Sequence, residues 1–206
     1  MMRDILWLLF VYIFPVIIFV LFSAIVSLYI LFSVKSNLYA DMNKYLQRSG
    51  KSRNFLNIFI AILGNNGIQA IVLYRIAFIL NKNGFVFIAN GIRRFSIFFT
   101  GIDIAPSAVI GKGFEIYHGQ GLVIGKEIEI GENVLVCHGV TIGYSGCHRP
   151  VIADNVKIFA GAKIIGDARI GQNCKIGANA VVTSPVPANS TVACQRSVVV
   201  PKVSKW

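Results

Sequence analysis

Hydrophobic and polar positions along the 206-residue chain fall into three regimes. From Ile5 to Val34 no side chain is charged. A helix needs about 20 apolar residues to cross a bilayer core, and the apolar core of a cleaved leader is only about 7–15 residues. Residues 1–35 are therefore expected to form a transmembrane helix, with Pro15 as a possible kink. In the second regime Phe55, Ile58 and Ile62, then Ile68, Ile71, Val72, Ile76 and Phe78–Leu80, recur at helical spacing. Asn65-Asn66-Gly67 interrupts them, so two helices are expected within an α-helical segment spanning 36–100. Phe85–Ile88 and Phe95–Phe99 add apolar surface to that segment. This surface suits either a lipid headgroup region or a subunit contact.

The third regime has a fixed period. Aliphatic residues recur every sixth position at Ile104, Ile110 and Ile116, at Ile124, Ile130, Val136 and Ile142, and from Ile152 to Ile176. A hexapeptide period predicts a parallel β-helix, each hexad forming one face of a triangular coil. Gly and Asn follow at positions where corners need unusual backbone angles. The fold class is thus mainly β: a left-handed β-helix over 101–206, preceded by the helical segment and the anchor. The period slips twice. Ile116 to Ile124 is two residues too long, with the surplus placed in Gly119–Val123, and Ile142 to Ile152 is four too long, around Tyr144–Pro150. The slips lie beside His118 and His148, and irregular loops on a regular scaffold commonly carry function. Counting hexads puts His118, His138, Ala160 and Ala178 at one corner of successive coils.

Composition changes the picture in two places. The formal charge is +11, and between residues 35 and 102 nine Lys/Arg face one acid, Asp41. Without a nucleic-acid motif, this basic segment reads as membrane-surface contact. Positive residues after the apolar run place the body on the cytoplasmic side of a single-pass membrane protein. Cys137, Cys147, Cys174 and Cys194 have no metal-ligand spacing, so no metal is expected.

In GIQAIVLYRIAFIL (67–80), GIDIAPSAVIGKGFEIYHG (101–119), HGVTIG (138–143), FAGAKIIGDARIGQNCKIGANAVV (159–182) and PVPANSTV (185–192), the chain resembles the serine acetyltransferase family. It is especially similar to the branch of capsule and exopolysaccharide O-acetyltransferases. The resemblance implies an acetyl-CoA-dependent homotrimer in which His118 is the general base and Asp103 orients it. A histidine suits deprotonation of a hydroxyl near neutral pH, and a carboxylate partner fixes its tautomer. The resemblance also places CoA between adjacent β-helices, along Gly143, Tyr144, Ala160, Gly161, Lys175 and Ala178.

Departures from the family pattern bear on the acceptor. The family carries an aspartate immediately before the base, where this chain has Tyr117, and another in its helical part, yet residues 42–102 contain no acid. An ammonium thus lacks an evident partner, whereas Tyr117 offers a flat face to a sugar. The family's Arg-His-Pro loop reads His148-Arg149-Pro150, and Cys194–Ser197 replaces a Gly-x-Pro-Ala motif. Tyr117, His138, His148 and Arg149 are taken as acceptor-binding candidates. The expected activity is O-acetylation of a sugar, on a lipid-linked saccharide, during surface-polysaccharide assembly. Serine O-acetylation and an inactive trimeric scaffold are the alternatives.

Overall fold

The computed structural model describes residues 37–194. The transmembrane helix expected over 1–35 lies outside the described residues, as does the altered motif from Gln195 onward. Among the described residues no single helix is long and apolar enough to cross a membrane.

Among the described residues four helices precede the β-helix: α1 (residues 37–48), α2 (Phe55–Gly64), α3 (Asn66–Lys82) and α4 (Val86–Thr100). Side-chain oxygens of Asn54 and Asn65 accept from Asn57 N at 2.8 Å and Ile68 N at 2.9 Å, capping α2 and α3. The Asn65-Asn66-Gly67 break is therefore a helix start, across which α2 and α3 bend by 94°. In length and composition that bent pair passes for a broken span. Packing argues otherwise, because α3 buries Ile68, Ala70, Ile71, Tyr74 and Arg75. The chain leaves α4 through Gly101, whose φ of 68° is the left-handed conformation glycine adopts without strain.

Among the described residues fourteen strands of two or three residues then wind into three parallel sheets. One stacks β1 (Asp103–Ile104), β4 (Val123–Ile124), β7 (Thr141–Gly143), β10 (Lys163–Ile165) and β13 (Val181–Val182). The second stacks β2 (Val109–Ile110), β5 (Glu129–Ile130), β8 (Val151–Ile152) and β11 (Arg169–Ile170). The third stacks β3 (Glu115–Tyr117), β6 (Leu135–Cys137), β9 (Lys157–Ile158), β12 (Lys175–Ile176) and β14 (Thr191–Val192). The hexad aliphatics pair in register down each sheet, as in Ile116↔Val136↔Ile158↔Ile176. All of these are buried. At one set of corners Asn133, Asn155, Asn173 and Asn189 each have φ between 56° and 60°, the region Asn tolerates better than most side chains.

The helical layer is bolted to the coil by a buried ion pair. Arg75 donates to both carboxylate oxygens of Asp41, at 2.9 and 3.2 Å, and to the carbonyls of Ile110 and Gly111 at 2.5 and 2.6 Å. Asp41 also accepts from Phe114 N at 2.8 Å. Beside it Tyr74 donates to Ala108 O at 2.7 Å, and burial pushes its phenol well above the ordinary tyrosine range. These contacts correct the reading of the basic segment as membrane-facing throughout. Four of its cations engage protein partners: Arg75 with Asp41, Arg93 with Asp103 and Arg48 with Glu115, and Arg53 with Tyr39 at the exposed surface.

Candidate active site

β3 carries the candidate base. Tyr117 still pairs with Cys137, but the backbone bond that follows runs from Gly139 N to Gln120 O at 3.0 Å. The two surplus residues are thus His118 and Gly119, earlier than the stretch from Gly119 to Val123 where the count had spread them. His118 N–H and side chain leave the ladder in a tight turn, with Gln120 N donating to His118 O at 2.8 Å and Leu122 N to Gly119 O at 2.9 Å. His118 has φ of 63°; the other positive-φ non-glycine residues described are five asparagines and Glu127. A strained backbone of this kind is held only where its surroundings enforce it. Gly119 is such an enforcement, since a Cβ there would meet Ile102 Cδ1 at 2.5 Å.

The expected corner is therefore modified. Bonds from Gly161 N to His138 O and from Asn179 N to Ala160 O put His138, Ala160 and Ala178 in one backbone column. Gln120 tops that column. His118 reaches it by its side chain, its ring 6.0 Å from that of His138, centroid to centroid. Both imidazoles are exposed.

Asp103, on β1, is engaged elsewhere: Arg93 Nε and Nη2 donate to its two oxygens at 2.6 and 2.9 Å. That charge-assisted pair holds Arg93 above its ordinary pKa. Among the described residues Asp103 makes no hydrogen bond to His118. His148 and Arg149 lie on an exposed loop closed by reciprocal backbone bonds between Ser145 and His148 at 3.1 Å, with Arg149 paired to Glu127 at 2.8 Å. Within one chain this loop is not brought to His118.

A cavity of about 660 Å³ opens between the end of α1, the start of α3 and β3, with Tyr117 and His118 on its wall. Gly67 lets α3 approach, because a Cβ there would lie 2.8 Å from Ile116 O. Arg48, from α1, lies over the Tyr117 ring at 4.2 Å and pairs with Glu115 at 2.9 Å. Burial pushes the Glu115 carboxyl above the ordinary range, against the pull of Arg48, Lys44 and Lys157. Its Oε1 has no aligned hydrogen-bond donor, so the Arg48 contact is Coulombic in character. The sequence reading took Asn65 only as part of a helix break and Arg48 and Arg93 only as members of the basic segment, so none was foreseen at the site.

The residues expected along CoA border the first sheet. Ala160, Gly161 and Ala178 lie at the corner before it, and Gly143 and exposed Tyr144 at its far end. Gly139 and Gly161 stack with 3.6 Å from the Cβ position of one to the Cα of the next, and Gly143 would meet only Ile165, at 3.6 Å. Lys175 stands exposed two residues before Gly177. Lys163 crosses the same sheet, donating to Gly139 O at 2.7 Å and Thr141 Oγ1 at 3.0 Å.

Coil geometry and repeat define a hexapeptide-repeat transferase, and the family model of the bacterial transferase hexapeptide (six repeats) matches residues 149–184. Among curated proteins, serine acetyltransferase of Helicobacter pylori is 38% identical over 166 residues, covering 79% of this chain and 95% of the relative. That of Bacillus subtilis is 42% identical over 156 residues, 74% of this chain and 70% of the relative. The chain belongs to the serine acetyltransferase family. Among solved structures, Neisseria gonorrhoeae serine acetyltransferase in complex with serine superposes with a TM-score of 0.71 at 35% identity, covering 82% of this chain and 67% of that one. The soybean apoenzyme gives 0.72 at 32% identity, with 82% and 69% covered.

These findings overturn the expected sugar acceptor in surface-polysaccharide assembly: the relatives are named for serine, and one is seen with serine bound. The Arg48 guanidinium lies over one face of the Tyr117 ring, and the ring packs against that of His118 with centroids 4.2 Å apart.

Proposed function

We propose that this protein is a serine O-acetyltransferase, moving the acetyl group of acetyl-CoA to the hydroxyl of L-serine. The observation that carries the reading is His118, held out of the β3 ladder at positive φ on the wall of the cavity, in a chain related over most of its length to serine acetyltransferases. In this reading His118 takes the proton from the serine hydroxyl as its oxygen attacks the thioester carbonyl. It returns the proton to the departing thiolate. Asp103 assists once it releases Arg93, or acts at a distance through its charge. His138 lies against His118 along the path of the thioester, and His148 and Arg149 complete the site from a neighbouring subunit of a trimer. Gly143, Tyr144, Ala160, Gly161, Lys175 and Ala178 line the CoA groove between left-handed coils. The division at residues 36 and 101, and a cytoplasmic-membrane anchor over 1–35 with the catalytic body in the cytoplasm, belong to the same reading; their support is the charge-free run from Ile5 to Val34.

The test is thiol release from acetyl-CoA by the full chain with L-serine. Serine-dependent release that falls about 100-fold or more in His118→Ala supports the reading, in line with loss of a general base. Undiminished release in that variant removes His118 from the chemistry.

A further inference from the structure

We propose that the outward face of α4 is a lipid-contacting surface, lying in the headgroup region of an anionic bilayer and holding the coil beside it. The amphipathicity of this helix is inverted. Its buried side is made of Ala89, Ser96 and Thr100, with Arg93 engaged to Asp103 next to them. At about 100° per residue, Phe87, Gly91, Phe95 and Phe98 fall within roughly 80° of one another on the opposite side, and Ile88 and Phe99 widen the stripe. Phe87 is 92% exposed and Phe98 83%. The rings also cluster, with centroids 4.3 Å apart for Phe95 and Phe99 and 5.2 Å for Phe98 and Phe99. A helix that only packs on a protein core turns its apolar stripe inward. Here small and polar residues face the protein, and a contiguous aromatic patch faces out, which marks a contact surface.

Charge identifies what covers it. Residues 42–102 contain no acid. Exposed Lys82 ends α3 just before this helix, and exposed Arg94 borders the stripe beside Phe87. Aromatic rings edged by cations, with no carboxylate among them, match the acyl boundary and anionic headgroups of a bilayer. A second copy fits less well. An isologous contact sets the same patch against itself, so Lys82 and Arg94 would meet their like with no acid in the helices to balance them. Position in the chain agrees, since only Lys35 and Ser36 separate the charge-free run Ile5–Val34 from α1. For that proximity the inference rests on the anchor included in the proposed function; the inverted face of α4 is independent of it.

The experiment places one indole at a time in the full chain, reconstituted with vesicles of phosphatidylcholine and phosphatidylglycerol. Trp206→Phe leaves Trp7 alone and reports on the anchor. Trp7→Phe/Trp206→Phe/Phe98→Trp reports on α4, and the same background with Phe87→Trp repeats the measurement one end of the stripe away. An interfacial helix buries its apolar face about 5–10 Å into the headgroup–acyl boundary. Both α4 indoles should therefore lose fluorescence when the phosphatidylcholine is brominated near the top of its acyl chains. Adding Lys82→Gln and Arg94→Gln should weaken that quenching in vesicles containing phosphatidylglycerol and leave it unchanged in pure phosphatidylcholine. Quenching of Trp7 with none at positions 87 and 98 overturns the proposal and leaves the anchor standing. Quenching at 87 and 98 without quenching of Trp7 supports the α4 contact by itself, and quenching nowhere overturns both. Indoles at 87 and 98 that ignore the bromolipid but shift their emission with protein concentration are covered by a second copy, which also overturns it. Quenching indifferent to the two cations in either vesicle overturns the assignment to an anionic surface.

Discussion

At the scale of single residues, one close approach shapes the site. Gly67 has no room for a side chain, its Cβ position lying 2.8 Å from Ile116 O and 3.1 Å from Ile116 Cβ. Gly67→Ala is predicted to cost about 1–3 kcal/mol by overpacking against a backbone that cannot yield, and to lower activity by displacing β3. Gly91, in α4, meets nothing within 4 Å, so Gly91→Ala should be neutral or stabilise by up to about 1 kcal/mol. Urea unfolding midpoints of the two variants check the pair. Glu115 gives a pH signature. Burial raises its carboxyl in the folded protein above the ordinary glutamate value of 4.5. The folded state therefore holds this proton at pH values where the unfolded chain has lost it, and the contribution to stability falls as pH rises through that window. Glu115→Gln mimics the protonated form. Its stability relative to wild type should rise with pH from about 4.5 and level off above the folded pKa; a flat difference would show that Arg48 already compensates the charge. His118 was legible in the sequence because the repeat slips beside it and its surroundings match a family motif. The exact placement of the surplus was not, since a count fixes how many residues are extra but not which peptide leaves the ladder. Arg48 on Tyr117 and Arg93 on Asp103 were not legible either. Each joins a helix to a distant coil, and helical periodicity reports which face is apolar, not where its few charges land.

At the scale of elements, the coil was the most readable part. A period of six with inward aliphatics allows one register, since a slip by one residue turns the buried set outward. The register found, Ile104↔Ile124↔Ile142 and Ile110↔Ile130↔Ile152 among others, follows the hexads through both insertions. The helical layer was readable as helix, but its docking was not, because it depends on the Asp41–Arg75 pair, 34 residues apart in sequence. Asp41 is 1% exposed and Arg75 3%. Removing one partner leaves a buried charge uncompensated, at a typical cost of about 3–5 kcal/mol. Asp41→Asn should therefore destabilise strongly, and Asp41→Asn/Arg75→Met by less than Asp41→Asn alone. Chemical unfolding followed by far-ultraviolet circular dichroism distinguishes the two. Equal stability of Asp41→Asn and wild type would mean that the carbonyls of Ile110 and Gly111 suffice to hold Arg75.

At the scale of the whole molecule, the helices do more than cover the first coil. They supply one wall of the cavity that opens where the chain swings His118 outward after β3. The same layer exposes Phe87, Phe95 and Phe98 on α4, within the apolar surface expected from the sequence, and also Phe55 and Phe59 on α2. The acceptor was misjudged because missing acids were read as missing amino-acid recognition, and Tyr117 was read in isolation from the arginine that covers it. The account's central claim is transfer of acetyl to the serine hydroxyl. Its most direct test is carbon-13 NMR of the full chain incubated with L-serine and acetyl-CoA labelled in the acetyl carbonyl. The account predicts an ester carbonyl signal on serine Oγ that forms with wild type and not with His118→Ala. Label that remains on CoA, or that reaches serine only as an amide formed equally well with the His118 variant, would contradict it.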